Sequence, residues 1–215
     1  AATSTSQGQQ LTIDLNELLK NLFLVLTEKE AKVIERRFAL QGQPRQTLDK
    51  IGKHFNVTRE RIRQIESIAL GKLRRTVRTT KLDEVNQIAR SIMNQNGGLM
   101  REDDLISAVL TRIKGSTELD GAVLRLSFTI DGEMNAGTRS NTFVPFWRLE
   151  SLSMEDIMKI VNSIVKILKK RKSCMESDEL VSAIQNLNLF EGRVPSAELI
   201  QGSLKIDERL KEITE

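Results

Sequence analysis

Apolar residues recur at helical spacing along this chain, and in one place two such stripes lie almost end to end. Leu48, Ile51 and Phe55 form the first stripe, and Ile62, Ile65, Ala69 and Leu73 form the second. Between them stand Asn56, a polar turn residue, Val57, an apolar plug, and Thr58, a hydroxyl suited to cap the second helix. Gly52 leaves room for close backbone approach. Upstream, Ile13, Leu15, Leu18, Leu19, Leu22 and Phe23 predict an amphipathic helix. Thr27 with Glu30 makes a capping box for another that runs to about Phe38. Gly42 and Pro44 mark the loop separating the two helix pairs.

The polar positions of the second stripe are as ordered as the apolar ones. Arg59, Glu60, Arg63 and Gln64 project from its first two turns, away from the apolar side. In a helix-turn-helix that end enters the major groove, where Arg matches guanine, Glu accepts from cytosine and Gln pairs with adenine. A solvated face on an ordinary surface helix would also be charged. Here the cap, the plug, the small residue and the polar cluster all agree with one motif. The charge follows it: from Arg45 to Lys81 there are eleven Lys or Arg and three acids, a local +8 in a chain of +4. Such a field draws in phosphate and makes affinity fall with salt. Lys53, Thr58, Arg61, Lys72, Arg74 and Arg75 are the candidate phosphate contacts, which position without reading sequence.

At the level of motifs, LTEKEAKVIERRFAL followed by TLDKIGKHFNVTRERIRQIESIALGKLRR resembles domain 4 of the bacterial primary-type sigma factors, over about Leu26 to Arg75. The resemblance implies that Arg59, Glu60 and Gln64, with Arg63 beside them, read an upstream (−35-type) promoter element. It implies that Thr47 and Leu48 lie near phosphates, and that the helices before the motif dock on the β flap of RNA polymerase. Nothing in the chain resembles the preceding sigma domain that melts promoters, so the expected role is recruiting or positioning polymerase rather than opening DNA. Residues 1–10, AATSTSQGQQ, read as a polar tail rather than a targeting signal.

The remainder is an internal repeat. GLMREDDLISAV aligns with SCMESDELVSAI at an offset of 75, placing Met100 on Met175, Leu105 on Leu180 and Ala108 on Ala183. The same offset sets Val85, Ala89, Ile92 and Met93 on Ile160, Ile164, Ile167 and Leu168, and LSFTID resembles GSLKID after a one-residue slip. Each copy predicts a long helix, a second helix from about Arg101 or Ser177, a third helix and a β-hairpin. In the first copy the hairpin runs from DGEMNAGTRSN into residues 142–149. This pattern resembles the HARE-type winged-helix domains, which include the N-terminal domain of the polymerase δ subunit. The fold expected is mainly α: a helix-turn-helix head at residues 11–80 and two winged-helix-like modules at 81–150 and 151–215. The second lacks an evident wing or Trp, as a truncated or reduced copy.

Several residues have two readings. Phe143, Phe146 and Trp147 could stack on bases but are expected in the core, with Pro145 marking an edge strand. The run KILKKRK at residues 166–172 reads as a solvated helix end, where cations suit the dipole. Acids at Glu102, Asp103, Asp104, Glu176, Asp178 and Glu179 argue for protein contact or shape sensing by the repeats rather than groove reading. The one cysteine, Cys174, aligns with Leu99 and is expected to be a small core residue, consistent with a reducing compartment. His54 has no ligand cluster around it, so no metal or cofactor is expected. Neither a phosphate loop nor an acid, base and nucleophile set is evident, and no apolar run spans a membrane.

The expected protein is therefore a non-catalytic transcription factor of the bacterial cytoplasm and nucleoid. Its partners are double-stranded, promoter-like DNA and RNA polymerase, with no small-molecule substrate and no membrane. Two other readings stay open: a polymerase-docking protein that reads no sequence, and the DNA-targeting part of a larger DNA-modifying enzyme.

Overall fold

The computed structural model describes residues 11–114, 119–211 and 213, without the side chains of 11, 12 and 114. The chain forms two compact units. One holds the described residues up to Glu84 together with Ile106–Ile130; the other holds Val85–Leu105 and the described residues from Asp131 onward. Residues 81–150 are divided between the units, and Ile157, Val161 and Ile206 of the second copy form one core with Leu99, Phe143 and Phe146 of the first.

In the first unit, α1 (Leu15–Phe23) begins where the Asp14 carboxylate accepts from the backbone N–H of Asn16 and Glu17, and Ile13 is buried just ahead of this cap. The capping box of α2 (Glu28–Phe38) forms as expected: Thr27 Oγ1 accepts from Glu30 N, and Glu30 Oε2 accepts from Thr27 N. Next come α3 (Leu48–Phe55) and α4 (Arg59–Val77). The buried stripe of α4 is Ile62, Ile65, Ala69, Leu73 and Val77, which continues the expected stripe by one turn. Also in this unit are the later part of α6 (Glu102–Arg112), α7 (Asp120–Asp131) up to Ile130, and a short parallel pairing of β1 (Leu11–Thr12) with β3 (Ile113–Lys114).

In the second unit, most of α5 (Leu82–Gln95) precedes a three-stranded antiparallel sheet of β2 (Leu99–Arg101), β4 (Met134–Gly137) and β5 (Phe146–Leu149). The wing hairpin is therefore present, with Met134 opposite Leu149. Contrary to the reading of Pro145, β5 is the central strand. The proline sits just before it, where only its carbonyl is needed, and accepts from Glu102 N at 3.0 Å. Phe143, Phe146 and Trp147 are all buried, and the indole N–H of Trp147 donates to Glu102 Oε2.

The second copy contributes α8 (Met154–Arg171), α9 (Ser177–Gln185) and α10 (Ala197–Ile206). Equivalent positions share their burial: Val85 and Ala89 with Ile160 and Ile164, Leu105 with Leu180, Ser127 with Ser203, and Asp131 with Asp207. Each buried aspartate pairs with an arginine, Asp131 with Arg90 and Asp207 with Arg209. The end of α10 and the residues just after it hydrogen-bond to the first copy, Val144 N donating to Ile206 O and Glu208 N to Thr142 O. Leu99, Phe143, Phe146, Ile157, Val161 and Ile206 form one core there. Cys174 departs from expectation: it is exposed, because the second copy has no strand where β2 places Leu99 in the core.

The repeat also explains Gly202, which stands where the first copy has Leu126. A Cβ there would lie 2.8 Å from the Leu99 carbonyl oxygen, so α10 lies against β2 only without a side chain. Gly202→Ala is expected to destabilise the second unit by about 1–3 kcal/mol, measured by urea unfolding, while Gly71→Ala, which meets nothing closer than 3.9 Å, is neutral or mildly stabilising.

Candidate nucleic-acid interface

The turn between α3 and α4 is set by one backbone contact. Asn56 ends α3 in the left-handed region at φ 51°, and Val57 N donates to Gly52 O at 2.9 Å. A Cβ on residue 52 would fall 2.7 Å from the Val57 carbonyl oxygen, so only glycine allows the chain to turn this tightly. Behind the turn, Val33, Ile51, Ile62 and Ile65 form a core, with Leu48, Phe55 and Val57 packed against it. The inner face of α4 is thereby fixed, and its outer face has one orientation relative to α3.

That outer face holds the expected readers. Arg59, Glu60, Arg63 and Gln64 are all exposed. They are ordered among themselves: Arg63 donates to Glu60 through Nε at 2.9 Å and Nη2 at 2.7 Å, and Arg61 Nη1 donates to Gln64 Oε1 at 3.2 Å. The Arg63 guanidinium holds the Glu60 carboxyl below the usual carboxylate range and is itself stabilised in its charged form. Both partners are open to solvent, so water and salt screen the pair and separating it costs little.

The candidate phosphate contacts divide into three groups. Lys53, Arg61 and Arg75 are exposed cations. Thr47 and Thr58 cap α3 and α4, accepting from Lys50 N and Arg61 N, while Leu48 packs against the core. These three stand at helix N-termini, where backbone N–H groups and the dipole favour an anion. Lys72 is half-buried, and its ammonium lies 2.9 to 3.0 Å from both carboxylate oxygens of Glu30 and so ties α4 to α2. Arg74 is exposed but donates to the Thr129 carbonyl at 3.4 Å.

A supporting network was not legible in the sequence. Arg37 bonds Glu66 at 3.0 Å and the Gln46 carbonyl at 3.0 Å, joining α2, α4 and the loop before α3. Arg36 lies 2.9 Å from His54 Nε2. The partners of each contact are 9 to 29 residues apart, beyond any local spacing signal.

Known proteins resemble the same stretch. Residues 22–75 match the family model for sigma-70, region 4. The match begins in α1 and ends in α4, enclosing the whole helix-turn-helix. The RNA polymerase sigma factor SigA of Clostridium acetobutylicum is 50% identical over 70 residues, 33% of this chain and 18% of that protein. The sigma factor RpoD of Neisseria gonorrhoeae is 47% identical over 68 residues, 32% of this chain and 11% of that protein. A SigA from a Bacillus species is 47% identical over 70 residues. The chain thus spans less than a fifth of the length of these relatives. Among the described residues, no helix is long and apolar enough to cross a membrane.

The pairing of Glu30 with Lys72 makes the region 4 segment sensitive to acid. Burial alone would raise the Glu30 carboxyl, but Lys72 and the Thr27 backbone and hydroxyl outweigh it and hold it below its ordinary value of 4.5. Such a lowered group stabilises the fold fully above pH 4.5, and the contribution disappears as pH falls through the folded-state value. Glu30→Gln is expected to lower stability by about 1–2 kcal/mol at pH 7 and to flatten the acid limb of a pH series of thermal melts.

Proposed function

We propose that residues 22–75 bind promoter-type duplex DNA, with the first two turns of α4 in the major groove, and that the chain recruits or positions RNA polymerase without catalysing a reaction. The observation that carries this reading is the exposed set Arg59, Glu60, Arg63 and Gln64 on a capped helix held by α2 and α3, within the stretch that matches sigma-70 region 4. Arg59, Glu60 and Gln64 are the base readers, Arg63 is oriented by Glu60, and Lys53, Arg61 and Arg75 hold phosphates. The site of action is the bacterial cytoplasm and nucleoid. The winged-helix-like repeats belong with the HARE-type domains and serve in protein contact or shape sensing.

Docking on the polymerase β flap has its own support: Leu24, between α1 and α2, is 81% exposed, and Val25 beside it is 39% exposed. Docking there would bury both side chains against the partner.

Selection of duplexes from a randomised library at two salt concentrations tests the reading. Arg59→Ala and Glu60→Ala are each expected to cost about 1–3 kcal/mol and to relax preference at one position of the selected site. Equal preference in the wild type and both variants would remove base reading and leave polymerase docking as the function.

A further inference from the structure

The two repeats provide an internal control for the cationic run at the end of α8. At the offset of 75, residues 166–172 (KILKKRK) lie on residues 91–97 (SIMNQNG), so five cations replace Ser91, Asn94, Gln95, Asn96 and Gly97. Both copies end their long helix here with a residue in the left-handed region, Gly97 at φ 73° and Lys172 at φ 58°. The fold of this small domain is therefore made without the charges. The second copy accepts a lysine in the backbone conformation that favours glycine.

Helix stability does not account for the run. The dipole favours cations in the last turn, which covers Lys169, Lys170 and Arg171 but neither Lys166 upstream nor Lys172 beyond it. Lys166 and Lys170 stand four residues apart on one face, where like charges oppose helix formation. Nearby acids neutralise little: Arg171 pairs with Glu179, while Lys166, Lys169, Lys170 and Lys172 are exposed and form no ion pair among the described residues. What remains is a cluster of four uncompensated ammonium groups, in a different compact unit from the helix-turn-helix.

We infer that the C-terminal end of α8 is a second DNA contact, gripping the phosphate backbone of a duplex through Lys166, Lys169, Lys170 and Lys172. It reads no bases and adds salt-dependent affinity to whatever the head selects. The choice of duplex DNA rests on the proposed function of the head; the cation cluster itself does not.

The test is to give α8 the residues of the first copy, Lys166→Ser, Lys169→Asn, Lys170→Gln and Lys172→Gly, keeping Arg171 on Glu179. Binding of the full chain to a selected and to a scrambled duplex, each extending well beyond the head's footprint, is measured against salt by fluorescence anisotropy. Unchanged circular dichroism and thermal melting establish that the variant folds. The slope of log affinity against log salt is expected to become shallower by about 2 to 4, near 0.9 for each phosphate lost. Both duplexes should weaken by the same factor, leaving preference intact. A slope change of less than about 1 would overturn the inference, as would displacement of the α8-dependent binding by single-stranded RNA more readily than by duplex. Arg59→Ala separates the two sites: it should reduce preference and leave this slope effect in place. A wild-type chain without sequence preference that still loses slope on the exchange would retire the head reading and keep this one.

Discussion

The absence of a side chain at residue 52 is the constraint on which the geometry of the helix-turn-helix depends. With the Val57 carbonyl seated where a Cβ would be, α3 and α4 meet at a fixed turn. The Ile51, Ile62, Ile65 and Val33 core then has one way to close. Everything on the outer side of α4 inherits that orientation. Two charged ties reinforce it from the far side, Arg37 with Glu66 and Lys72 with Glu30, both partly buried. Their worth lies less in net stability than in the penalty for separating them, since a half-broken pair leaves a charge in a poorly hydrated site. The result is a face of exposed side chains standing on a backbone fixed by its caps and its core.

The repeats follow a different logic. Both copies bury the same serine and aspartate near the end of the third helix, and the first also builds a three-stranded sheet. The second ends by hydrogen-bonding its segment after α10 to residues 142–144 of the first, and the two share one apolar core. Parts of both copies share one compact unit, while residues 106–130 of the first belong to the other. At the end of α8 the copies differ in charge, five cations in residues 166–172 standing where residues 91–97 have none.

What could be read from the chain follows the range of the forces involved. The capping box at Thr27 and Glu30, the cap at Thr58, the glycine at 52 and the stripe through Leu73 are local patterns spanning a few residues, and each formed as its spacing implied. The repeat was legible because one offset aligns many residues. Lys72 looked like a free cation because its partner lies 42 residues away. Pro145 looked like an edge marker because its neighbour β2 is three residues long and gives no alternation to detect. Cys174 inherited a core assignment from Leu99, although burial at that position depends on a strand that only the first copy has. Which core α6 and α7 serve is likewise a tertiary choice that leaves no mark on their own periodicity.

The central claim is that the outer face of α4 is the surface that meets DNA. Titration of the isotope-labelled full chain with a promoter-type duplex, followed by NMR, tests it most directly. The backbone amides from Thr58 to Gln64 and the guanidinium signals of Arg59 and Arg63 should shift together and saturate with bound duplex. If the duplex binds while these signals stay in place and the only shifts fall in the repeats, α4 is not the reading helix and the account is wrong.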